Sequence, residues 1–485
     1  MNERSNRPAS REEILEAREL RRKKRQQRRI FSICLLAAIL VIVGGGTVLI
    51  SHALKNRRAA QPEAFSEASS AEEISSESET PEEVPSEPSE EEASSPAPGD
   101  VLPPESSEEE GSEAESESEG SSESGSEEES SVPEESEEPA EPAGRAEEVL
   151  ASMTEYEKVC QLFMVFPNQL TGVYSQTVAG ESTRSGLEQY PVGGVILDQT
   201  NMASQAQVRE MIANMQSYSQ IPLLFTCDEE GGRVGRLMST VGTTWVDSML
   251  TYKDMGPETA RQNALTIATD MRALGFNMDL APVADVWSNP SNTVIGDRAY
   301  SDDFDQAASL IPSAVEGFQE GGVACTLKHF PGHGDTSADS HYGAVYVYKT
   351  LDEIRQNEFK PFIAGIDAGA DCVMIGHLIV SDIEDTPALF SYTIVTELLR
   401  EELGFSGVVM TDSLQMQAMT DYYSSGTIAV KALQAGCDLL LCPGSLSEAI
   451  SAVQNALETG EISRERLDES VLRILKMKER YGVLG

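Results

Sequence analysis

The chain has 485 residues, 36 Lys and Arg against 81 Asp and Glu, and a formal net charge of −45. That length allows one large domain or two to three ordinary ones. The acidity argues against a nucleic-acid partner, which needs a basic surface to meet phosphate. The charge is unevenly spread. Residues 1–60 carry +9, residues 61–143 carry −30 with no Lys or Arg, and residues 144–485 carry −24.

The N-terminal part begins with a basic tail, 1–29, holding eleven Lys and Arg. Residues 30–50, IFSICLLAAILVIVGGGTVLI, follow without a single charge. Such a run is long enough to cross a bilayer as a helix. Only Lys55, Arg57 and Arg58 follow it closely. The basic excess on the N-terminal side predicts a single-pass anchor with a cytoplasmic N-terminus and an extracytoplasmic body. A cleaved signal peptide would have a shorter apolar core and a small-residue cleavage site.

Residues 51–143 are dominated, from 61 onward, by Glu, Ser, Pro and Gly, with few large apolar side chains. A segment of this kind cannot bury enough surface to offset chain entropy, which predicts a disordered linker extended by its own charge.

From 144 to 485 the composition becomes globular. Short apolar runs are predicted as strands at 162–166, 193–197, 222–226, 278–282, 323–327, 372–376, 408–411 and 438–442. Helical patterns occupy 204–219, 257–274, 304–321, 352–369, 424–436, 445–459 and 464–481. Strands bounded by Gly, Pro and Asp that alternate with longer helices predict an α/β fold with a parallel sheet. Eight strands in this length fit a single (β/α)8 TIM-type barrel; a doubly wound open sheet is the runner-up. No GxGxxG follows the first strand, which weakens that alternative.

Seven cysteines in so long a chain exclude a disulfide-rich scaffold. They are scattered through apolar segments without a CxxC pair, the pattern of buried reduced thiols.

Barrel chemistry sits on the loops after the strands. Asp228 follows the third strand, Asp285 and Arg298 the fourth, Lys328 and His329 the fifth, His377 the sixth and Asp412 the seventh. The densest stretch is 328–341, KHFPGHGDTSADSH, which holds three of the five histidines: His329, His333 and His341. Asp339 stands two residues before His341; a carboxylate that accepts one ring N–H raises the basicity of the other nitrogen, which suits a proton shuttle. His329, His333, Asp335, Asp339 and His341 also offer zinc ligands, but a Gly/Pro loop lacks the helical spacing of HExxH, so no metal and no cofactor are expected. DEEGGRVGR at 228–236 offers Asp228, Arg233 and Arg236 to a polar ligand beside the tight turn allowed by Gly231 and Gly232. IGDRAYS at 295–301 adds Arg298.

Together these segments resemble glycoside hydrolase family 3, in its β-N-acetylglucosaminidase branch, over about 150–485. KHFPGHGDT followed by DSH is the specific element. The resemblance implies that Asp412 is the nucleophile, that His341 is the general acid/base and that Asp339 orients it. It also implies sugar binding by Asp228, Arg236, Arg298, Lys328 and His329. The expected activity is retaining hydrolysis of terminal β-N-acetylglucosaminyl residues, from peptidoglycan or its fragments, at the membrane. Phosphorolysis or a β-glucosidase-type activity is the alternative. A stalked non-catalytic sugar-binding module and a metallohydrolase are further rivals.

Overall fold

In the structure, a computed structural model, residues 144–336 and 345–484 are described. The apolar run 30–50 and the acidic linker lie outside them. No helix among the described residues is long and apolar enough to cross a membrane.

The fold is α/β with parallel sheets. One sheet joins Phe163–Val165, Gly194–Ile196, Leu224–Thr226 and Leu440–Leu441; another joins Thr326–Phe330, Cys372–Ile375 and Val408–Thr411. The register is parallel throughout, with Met164 opposite Gly194, Gly194 opposite Leu224, Cys372 opposite Val408 and Phe163 opposite Leu440. Isolated bonds connect the two sheets at both junctions. The N–H groups of Asn277 and Met278 donate to the Phe225 carbonyl, and Asp279 N–H donates to Ala324 O at 2.8 Å. At the other junction Thr411 N–H donates to Leu439 O at 3.0 Å. Backbone pairing therefore passes through all eight expected segments and returns to the first.

Two of these segments differ from expectation. Residues 278–282 form no continuous strand, only bridges from Met278 to Ala324 and from Val283 to Lys328. Pro282 has no N–H to give a ladder, which accounts for the gap. The fifth strand is Thr326–Phe330 rather than 323–327. Lys328 and His329 accordingly lie within it, where the strand geometry fixes their direction, and not on the loop behind it. The peptides Lys328–His329 and Phe330–Pro331 are both cis.

The helices form as their apolar spacing requires. In Pro257–Leu274 the buried residues Ala260, Ala264, Ile267, Ala268, Met271 and Leu274 recur on one face. Proline opens that helix and Gly275, at φ 100°, closes it. The expected helix 352–369 is two helices, Leu351–Gln356 and Phe359–Asp367. Pro361 then falls in the first turn of the second, where its missing N–H leaves no helical bond unmade. Thr350 begins the pair with a capping box to Glu353. Between the first and second strands lies Glu181–Gln189, and between the sixth and seventh lies Thr393–Glu402, wound as a π-helix. The closing helix Arg464–Arg480 packs on Arg145–Ser152. The core is the layer between strands and helices, where Phe225, Leu327, Val373, Val409 and Leu440 are fully buried. The six described cysteines are buried free thiols.

Candidate active site

The site is built on the ends and following loops of the strands. After Leu224–Thr226 the chain makes a short antiparallel hairpin, Glu229–Gly231 with Val234–Gly235. Its turn needs glycine: Gly232 has φ 58°, and a Cβ there would stand 2.1 Å from Ser248 Oγ. The hairpin carries Asp228, Glu230 and Arg236 to one place. Glu229 points the other way, where its carboxylate accepts from the N–H groups of Leu237 and Met238 at 2.6 and 2.9 Å. It thereby caps the helix Arg236–Thr240. Burial outweighs these bonds and pushes the Glu229 pKa up to about 7.

Opposite charges alternate along the cavity wall. Arg298 Nε and Nη2 donate to the two Glu230 oxygens at 2.7 and 2.8 Å. Lys328 Nζ lies 2.6 Å from Glu230 Oε1 and 2.9 Å from Asp228 Oδ1. Asp228 Oδ2 lies 3.6 Å from Arg236 Nη2. Burial alone would raise the Glu230 pKa; the charges of Arg298 and Lys328 outweigh it and hold the carboxylate well below its ordinary range. For Lys328, burial favours the neutral amine, but Asp228 and Glu230 raise its pKa and keep it charged.

Asp285 organises the fifth strand and its loop. Its Oδ2 accepts from the backbone N–H of His329 at 3.1 Å and from the ring Nδ1 at 2.6 Å; its Oδ1 accepts from His333 N–H at 2.6 Å. Burial works against the charge, and His329 and His333 lower the Asp285 pKa despite it. The bond at Nδ1 fixes the His329 ring and leaves Nε2 for the cavity. The loop comes close to its neighbour at Gly334, where a Cβ would stand 1.7 Å from Val286 O. Asn292 Nδ2 ties the two loops by donating to His333 O at 2.8 Å.

Asp412 ends Val408–Thr411, and its N–H donates to Ile375 O at 3.0 Å. Its Oδ1 accepts from Ser413 N–H at 2.7 Å. His377 Nε2 donates to the Ser413 carbonyl at 2.8 Å and holds this turn. Burial opposes ionisation of Asp412, but the charges of His377 and His329, the Ser413 N–H and Lys328 lower its pKa. It is an ionised carboxylate at neutral pH.

Asp412, Asp228, Arg236, Arg298, Lys328 and His329 line one cavity of about 410 Å³, together with Glu230 and His333. Six of the eight residues to which the resemblance assigns a role are thus brought together. Asp339 and His341 lie outside the described residues. Arg233 also reaches the cavity, but its guanidinium is used elsewhere: Nε pairs with Asp297 at 2.7 Å, and Nη2 donates to the carbonyls of Thr293, Val294 and Ile295. It positions the segment that delivers Arg298. Among the described residues no three His, Cys, Asp or Glu side chains gather as metal ligands; two of the five candidates are the undescribed Asp339 and His341.

Glu230 is the functional residue that sequence reasoning missed. Its signal was strand alternation: two residues beyond Asp228, it faces the same side. Asp285 and His377 were placed at strand ends without a role, because the groups they bind, on His329 and His333 for Asp285 and the Ser413 carbonyl for His377, are remote in sequence.

Residues 154–477 match the glycosyl hydrolase family 3 N terminal domain. The chain is 34% identical over 322 residues to beta-hexosaminidase A of Pseudoalteromonas piscicida, covering 60% of this chain and 54% of that one. It is 36% identical over 291 residues to the beta-hexosaminidase of Idiomarina loihiensis, covering 59% of this chain and 85% of that enzyme. A solved glycoside hydrolase family 3 beta-N-acetylglucosaminidase from Paenibacillus sp. str. FPU-7 superposes with a TM-score of 0.65 at 38% identity, over 68% of this chain and 63% of that one. The chain therefore spans little more than half of the first relative and under two thirds of the solved chain. With the matched residues including the whole described cavity, the chain belongs to glycosyl hydrolase family 3.

Proposed function

We propose that the protein is a retaining β-N-acetylglucosaminidase on a (β/α)8 barrel, releasing terminal N-acetyl-β-D-glucosaminyl residues from peptidoglycan or its fragments. The observation that carries this reading is the ionised Asp412 facing the cavity into which Asp228, Arg236, Lys328 and Arg298 converge. The similarity to beta-hexosaminidases supports the choice of sugar.

In the first step an Asp412 oxygen attacks the anomeric carbon, and the bond to the leaving oxygen breaks as that oxygen takes a proton from His341. In the second, His341 takes a proton from water, the water oxygen attacks the same carbon and the bond to Asp412 breaks. Two inversions give net retention. Asp339 holds the imidazole for both transfers. Lys328, Asp228 and Arg236 bind sugar hydroxyls through charge-assisted hydrogen bonds. Glu230 keeps Lys328 and Arg298 in place.

The full-length chain incubated with 4-nitrophenyl N-acetyl-β-D-glucosaminide, with and without phosphate, tests the reading. Free N-acetylglucosamine in both cases supports hydrolysis. N-acetylglucosamine 1-phosphate, formed only with phosphate, would assign phosphorolysis instead.

The location belongs to the same proposal. The eleven basic residues before the apolar run 30–50 support an anchor with the body outside the cytoplasm. Protease added to intact cells should clip the acidic linker and release active enzyme. Protection of the body until lysis would reverse the orientation.

A further inference from the structure

Beyond the cavity, Tyr346, Tyr348 and Tyr422 stand exposed. The strand Val345–Val347 pairs in parallel with Leu378–Val380, with Tyr346 opposite Ile379. Alternation buries Val345 and Val347 and turns Tyr346 and Tyr348 outward, 44% and 71% exposed. Their ring centroids lie 6.0 Å apart with planes 12° apart, so the two rings are near-parallel neighbours. The partner strand starts directly after His377, whose ring is bonded to the carbonyl next to Asp412. The second segment runs from Met416, at the cavity wall, through the helix Gln417–Thr420 to Tyr422, which is 64% exposed. Burial, then the charges of Asp385, Tyr348 and Tyr422, raise the Tyr346 pKa.

Exposed aromatic faces grouped at a cavity mouth mark a binding surface. A β-linked N-acetylglucosamine ring carries its hydroxyls around the edge and its C–H bonds toward its faces. Those C–H groups suit the negative face of an aromatic ring, while each phenol keeps a polar tip in water. A chain cleaved at its terminal sugar extends out of the cavity on the leaving-group side. We propose that Tyr346 and Tyr348 form a stacking platform for sugar rings on the leaving-group side, so that the protein favours N-acetylglucosamine-containing glycan chains over disaccharides. This rests on the reading of the cavity as an N-acetylglucosaminidase site.

The test compares kcat/KM for the β-1,4-linked N-acetylglucosamine tetrasaccharide and disaccharide, in the wild type, Tyr346→Ala/Tyr348→Ala and Tyr346→Phe/Tyr348→Phe. Calorimetric binding of the tetrasaccharide is measured in parallel. The tetrasaccharide-to-disaccharide ratio should exceed one in the wild type and fall about tenfold in the Ala variant, the scale of one lost aromatic stack. The Phe variant, which keeps the ring faces, should hold the ratio. Equal ratios in wild type and Ala variant would overturn the platform while leaving the activity standing. If neither sugar is cleaved, the activity reading fails, and the platform stands or falls on calorimetry: about tenfold weaker binding in the Ala variant supports it, and unchanged or absent binding overturns it. A concentration-dependent dimer lost in the Ala variant, with an unchanged ratio, would assign the surface to a second copy of the chain and overturn the platform.

Discussion

Glu230 and Lys328 form an ion pair of 2.6 Å in which each side chain is only 2% exposed. Neither charge is tolerable there alone. Arg298 shares Glu230, and Asp228 shares Lys328, so the pair is the centre of a chain of alternating charges along the cavity wall.

Glu230→Gln should therefore be costly although it changes one atom type. Removing one partner of a buried pair costs about 3–5 kcal/mol; here Lys328 keeps Asp228, but Arg298 loses its carboxylate partner. Thermal melting should fall markedly, and KM should rise as Lys328 and Arg298 lose their fixed positions. The wild-type pair has a linked pH dependence. The lowered Glu230 pKa gives stability that is full above the unfolded value near 4 and is lost as pH falls through the lower folded value. The Gln variant should lose less stability than the wild type on going below about pH 4. Equal acid sensitivity in melts would count against the pair.

Lys478 presents the reverse case at the other end of the fold. It is fully buried, with Nζ bonded to Gln161 Oε1 at 2.6 Å, and burial lowers its pKa to about 7. Between pH 7 and the unfolded value near 10.4, the unfolded chain binds the extra proton, so stability rises with pH by up to ~1.4 kcal/mol per unit. Lys478→Met carries no such charge. Its melting temperature relative to wild type should be more favourable at pH 6.5 than at pH 10, measured by calorimetry. A difference independent of pH would show that Lys478 stays charged when folded.

His341→Ala should discriminate between leaving groups. A sugar leaving group needs a proton and should slow by about 10²–10⁴-fold. An activated aryl group needs little protonation, so its first step should slow less and the glycosyl-enzyme should accumulate. Azide, which needs no general base, should speed the second step. Asp339→Asn should act in the same direction more weakly. Equal slowing of good and poor leaving groups, without an accumulated intermediate, would remove His341 from proton transfer and direct attention to His333 or Asp335.

The sequence carried most of the strand plan because each strand is a short apolar run bounded by Gly, Pro or Asp, as at 193–197 and 408–411. It misplaced the fifth strand because Lys328 and His329 read as polar loop residues; their side chains are paired with Asp228, Glu230 and Asp285, all distant in sequence. The helix Thr393–Glu402 was missed because Thr393, Ile394, Val395 and Thr396 are β-branched and favour strands, and Glu181–Gln189 because Ser, Thr and Gly dilute its helical signal. Asp228, Arg236 and Asp412 were legible because each stands just beyond a strand. Glu230 was not, since only the folded chain shows that it lies between two cations.

The most direct test of the account is to trap the covalent intermediate. The protein is treated with a fluorinated N-acetylglucosaminyl donor that forms the glycosyl-enzyme faster than it hydrolyses, then digested and read by mass spectrometry. The account predicts one added sugar on the peptide holding Asp412, and no label together with a loss of turnover of at least about 10⁴-fold in Asp412→Ala. A label on another residue, or turnover without any label and with inverted product, would contradict it.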